Sequence, residues 1–193
     1  MSEYDFTLIL SGITDFTDDQ VDSLFDAGCD DATVAQRSGR VYMTFSRDAQ
    51  SMTDAIISAI VDIRKANIGA GVLRVDTCNL VNQSEIARRL GLSRQCAENY
   101  VNGKRLTGFP APACNIIDGQ PQYFWSEVAY WACENSLLRQ DANREAQEIA
   151  ILNNIIELEH QKRIEPELTA KMLSQFSVCK PCEEKSEQTA QGF

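Results

Sequence analysis

Phe6, Leu8 and Leu10 alternate with polar or oppositely facing neighbours, the period of two that marks a half-buried strand. Asp15 to Asp19 supply helix-start chemistry, and Val21, Leu24 and Phe25 then recur at helical spacing until Gly28 ends the run. Two short runs, Ala32 to Gln36 and Val41 to Phe45, flank Arg37-Ser38-Gly39-Arg40, a hairpin turn in which Gly39 supplies the left-handed conformation. A longer helix from about Ser51 carries Ile56, Ile60 and Ile63 on one face and stops before Gly69-Ala70-Gly71. Val72 to Val75 closes the unit as a fourth strand.

That order predicts, over residues 1–78, a ferredoxin-like βαββαβ domain: one antiparallel sheet with two helices on one face. Gly69 to Gly71 is too short for a nucleotide-binding glycine loop and precedes a strand rather than joining strand to helix. From Asn82 the pattern turns helical. Ser126 to about Gln161 reads as one long helix, with Leu138, Ala142, Ile149, Leu152 and Ile156 spaced by three, four and seven. Pro166 suits a helix N1 position, so Glu165 to Phe176 is expected to fold back on it as a helical hairpin. The closing stretch, within a tail of residues 178–193, has no periodicity and is expected to be disordered. The whole is an α+β chain with domains at 1–78, 80–133 and 134–177 ahead of that tail.

Composition adds size and sign. The 193 residues, 44% hydrophobic and 24% charged, suffice for two compact units, and the formal net charge is -10. The charge is uneven: residues 1–81 hold 13 acids and 6 bases, residues 82–113 hold 2 and 5, and residues 114–193 hold 13 and 7. Only the middle block is basic. No apolar run approaches the roughly eighteen residues of a membrane span, and no basic leader precedes the first apolar run, so a cytoplasmic protein without a membrane partner is expected. The seven scattered cysteines argue against a disulfide framework, and most are expected to be small reduced core residues.

The basic block contains "EIARRLGLSRQCAENYV". Ile86, Ala87 and Leu90 form the inner face of a first short helix, Gly91 the turn, Leu92 a core plug and Ser93 the N-cap of a second helix with Ala97, Tyr100 and Val101 inward. This helix-turn-helix leaves Arg94, Gln95, Glu98, Asn99 and Asn102 outward, residue types able to read base edges. Gln83, Ser84, Arg88, Arg89, Ser93, Lys104 and Arg105 are placed for the DNA backbone. Then come "GFPAP", an extended segment, a hairpin in which Asn115 to Ile117 and Gln122 to Phe124 bracket Asp118-Gly119, and "YFWSEVAYWA".

Over residues 80–133 these motifs resemble the winged helix-turn-helix of the MerR-like and AlpA or excisionase-like phage families. The resemblance implies a recognition helix in the major groove and a hairpin wing on the backbone or minor groove. This wing departs from the pattern by lacking Arg or Lys between Asn115 and Trp125, so a contact would rest on Asn115, Gln120, Gln122 or backbone amides.

Other chemistry is thin. Cys179-Lys180-Pro181-Cys182 is half a zinc or redox motif, and the only histidine, His160, is distant, so no metal or cofactor is expected. Asp30-Asp31 fits a turn, and no set of nucleophile, base and oxyanion donors can be assembled, so no enzyme is expected. Residues 149–158 are apolar on nearly every side, which points to a homodimer interface through Ile149, Leu152, Ile155 and Ile156. The expected function is a dimeric, sequence-specific regulator of double-stranded DNA, a repressor of phage or mobile-element type, with a protein partner or ligand at the N-terminal domain. The alternatives are an architectural, recombination or DNA-packaging factor, and an antitoxin or adaptor module.

Overall fold

The computed structural model describes residues 2–117 and 119–178. Its first elements are β1 (Ser2–Ser11), α1 (Asp18–Asp26), β2 (Ala32–Arg37), β3 (Arg40–Ala49), α2 (Met52–Ala66) and β4 (Gly71–Val75). The strands form one antiparallel sheet in the order β2-β3-β1-β4. Phe6 faces Phe45 and Leu8 faces Met43, so the alternating apolar positions of both strands share one side. Leu24 of α1 and Ala55, Ile56, Ala59, Ile60 and Ile63 of α2 complete that core. Both helices start where a side chain replaces a missing backbone partner: Thr17 and Gln20 form a capping box, and the Ser51 hydroxyl accepts from the Asp54 amide.

β3 outruns the expected strand, because β1 begins at Ser2 and pairs it with Ala49. The extension puts Arg47 on the core face, where it is buried. Its guanidinium donates to both Asp31 oxygens (2.6 and 2.9 Å), to Asp62 (2.9 Å), to the Ser58 hydroxyl (3.1 Å) and to the Gly28 carbonyl (2.7 Å), and it lies 5.1 Å from the Phe45 ring. Asp31, expected only in a turn, is thus the half-buried, bidentate partner of a buried arginine, the arrangement in which a desolvated guanidinium is tolerable. Beside it, burial pushes the Cys29 thiol up to about 11, which makes it an inert core residue.

Next come β5 (Leu80–Val81), α3 (Gln83–Arg89), α4 (Arg94–Val101), β6 (Tyr123–Phe124), α5 (Trp125–Glu134), α6 (Gln140–Ile164) and α7 (Pro166–Val178). The described residues thus make an α+β fold with seven helices. The single helix expected from Ser126 is two. Ser136 takes the left-handed conformation (φ 59), and the Ser136 and Leu137 amides turn back to the Cys133 and Ala132 carbonyls. This is a Schellman ending built without glycine, and Leu137 and Leu138 then plug into the core around Trp131.

The chain divides into a larger compact unit, residues 1–157, and a smaller one beginning at Leu158, with the boundary inside α6. In the larger unit α6 serves two cores. Ala146 packs with Val81, Ile86 and Val128, whereas Ile149, Ile156 and the half-buried Leu152 pack into the sheet core. Three of the four residues expected at a dimer interface are therefore covered from within the chain, each buried isoleucine contributing about 1.5–3 kcal/mol; Ile155 alone is exposed. Buried Asn153 fixes the seat of the helix. Its amide accepts from the Val75 N–H (2.8 Å) and donates to the Val75 and Thr77 carbonyls (3.3 and 3.0 Å).

In the smaller unit the Thr169 hydroxyl donates to the Glu165 carbonyl (2.7 Å) and reaches the Gln161 carbonyl (3.3 Å), spanning the junction of α6 and α7. That junction falls at Glu165-Pro166, where proline has no N–H to continue the ladder. Val178, expected to open the tail, ends α7, and the rest of the expected tail with the Cys179-Cys182 pair lies outside the described residues. Among those residues no helix is long and apolar enough to cross a membrane.

Replacing Arg47 with Met leaves the half-buried Asp31 without its cation and Asp62 with Lys65 alone, and the expected loss is about 2–3 kcal/mol of unfolding free energy. Urea denaturation of both proteins measures it; a loss under about 1 kcal/mol would show the pair to be dispensable.

Candidate nucleic-acid interface

α3 and α4 are each capped by a side chain: Asn82 accepts from the Glu85 amide (2.9 Å) and Ser93 from the Cys96 amide (3.2 Å). Between them Gly91 takes φ 64, and the Gly91 and Leu92 amides return to the Arg88 and Ala87 carbonyls. That left-handed position is what a glycine supplies at low cost in a tight interhelical turn. Ile86 and Ala87 of α3 and Ala97 and Tyr100 of α4 are buried. Tyr100 meets the Trp131 ring edge-on at 5.3 Å, and Phe109 touches both Trp131 and Tyr123. The Trp131 indole donates to the Thr107 carbonyl (3.0 Å), tying the proline segment to α5.

The residues expected to read bases fall into two groups. Arg94 and Gln95 are exposed at the start of α4 and Asn102 is exposed just past its end; Glu98 and Asn99 are half-buried, and Gln95 donates to Glu98 (3.3 Å). Among the described residues the Arg94 side chain enters no hydrogen bond or ion pair. It shares a shallow cleft of about 480 Å³ with Asn82, Ser84, Arg88 and Leu92.

The expected backbone contacts divide as well. Arg89 is only 14% exposed: it donates to Glu85 (2.8 Å) and to the Cys78 carbonyl (3.0 Å), and lies 5.0 Å from the Trp125 ring. Its charge is used within the fold. Arg88 is 71% exposed but holds Glu85 in a two-pronged pair (2.8 and 2.6 Å). The Ser93 hydroxyl is occupied as a cap. Ser84, Lys104 and Arg105 are exposed, Arg105 resting over the Tyr100 ring, and Gln83 is half-buried. Hydrogen bonds from Arg88 and then Arg89 hold the Glu85 carboxyl at about 2, well below its ordinary 4.5.

The hairpin closes in a different register from the expected one. Cys114 bridges Gln122, while Tyr123 and Phe124 pair with Val81 and Leu80 instead of residues 115–117. Burial of Tyr123 against Phe109 selects that partner. Released from pairing, Ile116 and Ile117 stand out at the tip, Ile117 being 99% exposed. Two consecutive isoleucines beside Asp-Gly were the available signal for an exposed apolar tip. Among the described residues no cluster of His, Cys, Asp and Glu could hold a metal ion.

Comparison of the chain with models of known protein families, with characterised proteins and with solved structures found no match.

Because the folded Glu85 carboxyl titrates below its ordinary value, its ion pairs stabilise above pH 4.5 and are lost as the pH falls toward about 2. Wild type is expected to melt higher than Glu85→Gln at neutral pH, with the gap closing across that window. A gap that does not change with pH would show that the charge of Glu85 plays no part.

Proposed function

We propose that this chain is a sequence-specific double-stranded DNA-binding regulator that acts as a homodimer, with a ferredoxin-like N-terminal domain, a central winged helix-turn-helix and a C-terminal helical hairpin for assembly. The observation that carries the reading is the pair of side-chain-capped helices joined at Gly91, with Arg94 and Gln95 exposed at the N-terminal end of α4 on the one basic block of the chain. A recognition helix makes its base contacts from that end. Arg94 reads a guanine edge and Gln95 an adenine edge, Glu98, Asn99 and Asn102 set the neighbouring positions, and Ser84, Arg88, Lys104 and Arg105 meet phosphates.

Assembly rests on the smaller unit. Leu158, Leu168, Met172, Leu173 and Phe176 line an apolar groove of about 330 Å³, and all five are exposed. A two-fold partner covering it would present two reading heads to an inverted repeat. One observation favours a second reading, an architectural factor: Ile116 and Ile117 at the wing tip suit the apolar wedge with which minor-groove proteins kink a duplex.

Selection from random duplexes is expected to enrich one motif. Arg94→Ala should cost about 1–3 kcal/mol at one base position, whereas Lys104→Ala should weaken binding to all sequences and lower the salt slope by about 1. No enriched motif, or Arg94→Ala without effect, would overturn the recognition-helix assignment. Leu168→Glu with Met172→Glu should convert a dimer to a monomer in light scattering; an unchanged mass would sink the interface.

A further inference from the structure

The face of the sheet turned away from α1 and α2 carries a second cluster. Arg37 and Arg40 stand directly opposite each other in register at the ends of β2 and β3. Ser38 and Gly39 between them both have positive φ, 53 and 75, the two-residue turn whose twist matches the strands and fixes that register. Like charges opposed in this way disfavour the hairpin, yet among the described residues neither arginine has an ion pair. Arg74 sits beside Ile9 on the neighbouring edge strand. Two of the six basic residues of an acidic segment thus stand side by side at one corner of the sheet, with Arg74 two strands away from Arg40.

That corner is concave. Thr7, Ile9, Arg37, Arg40, Tyr42 and Asp76 line a cavity of about 370 Å³, at the small end of the range for compact organic ligands. Its parts are complementary to one kind of molecule. The paired guanidiniums suit a phosphate, which they can hold through several charge-assisted hydrogen bonds. The Tyr42 ring and the Ile9 side chain offer an apolar surface on which a planar base can lie. The Asp76 carboxylate, which forms no ion pair with either arginine, accepts hydrogen bonds from sugar hydroxyls or an exocyclic amine.

We propose that this corner of the open sheet face binds a nucleoside monophosphate. The site stands on the sheet alone and does not depend on the DNA-binding reading. Titration calorimetry of the full chain at low salt with AMP, GMP, CMP and UMP, each against inorganic phosphate, tests it. At least one nucleotide is expected to bind, and at least tenfold more tightly than inorganic phosphate. Arg37→Ala combined with Arg40→Ala should reduce nucleotide affinity tenfold or more without lowering the melting temperature, because it removes an exposed like-charge pair. Tyr42→Leu should weaken the nucleotide while leaving inorganic phosphate unchanged. Failure of all four nucleotides to bind, equal affinity for inorganic phosphate, or unchanged affinity in the double-arginine variant would overturn the proposal.

Discussion

One buried amide holds the larger unit together. β4 is the edge strand of the sheet, and an edge strand leaves a row of backbone groups without partners. Asn153 covers them from the middle of α6, taking the Val75 N–H and returning hydrogen bonds to two carbonyls as a further strand would. With Asn153 seated, helical periodicity decides the rest: Ile149, Leu152 and Ile156 must enter the sheet core, and Ala146, two turns back, must enter the core beneath α3 and α5. The Thr53 to Glu148 bond (2.5 Å) and the Gln147 to Ser126 bond (2.7 Å) fasten the same helix on either side. The sheet and the α3–α4 helix pair share a structural member and are not beads on a linker.

This arrangement gives the apolar belt of residues 149–158 a different meaning from the one its periodicity conveys. A helix apolar on most sides needs covering, and the pattern records that need without naming the cover. Here two cores of the same chain provide most of it. Apolar side chains without such cover lie toward the C-terminus, where Leu158, Leu168, Met172, Leu173 and Phe176 are exposed on either side of Pro166.

What was legible beforehand was local. The strand alternation, the helix start near Ser51, the cap at Ser93, the glycine turn at Gly91 and the proline start of α7 are signalled by residues within a few positions of the feature, so sequence neighbours suffice to read them. The misses are long-range or depend on a residue in an unfavoured state. Ser136 adopts a left-handed conformation that serine seldom takes, so nothing nearby announced the break between α5 and α6. Arg89 turns inward because Trp125 and the Cys78 carbonyl reach it from outside the motif. Arg47 had a signal: it continues the odd-numbered series Val41, Met43, Phe45, and only its charge obscured the strand's continuation to Ala49.

The inward turn of Arg89 bears directly on how so acidic a chain would handle a polyanion. Of the five bases in residues 82–113, one is held in the fold and one is shared with Glu85, leaving Arg94, Lys104 and Arg105 without a carboxylate partner among the described residues. On the DNA-binding reading, with Lys104, Arg105 and the part-neutralised Arg88 as the charged phosphate contacts, at most about three displaced counterions per reading head give a salt slope of only roughly -3, far shallower than that of a protein with many phosphate contacts. Little affinity is then available without base contacts, and the acidic segments on both sides, net -7 and -6, oppose loose association further. Glu85 is part of that economy: by holding Arg88 and Arg89 in fixed positions it trades non-specific attraction for a defined surface in front of Arg94. Selectivity on this account comes from the cations the fold withholds as much as from those it displays.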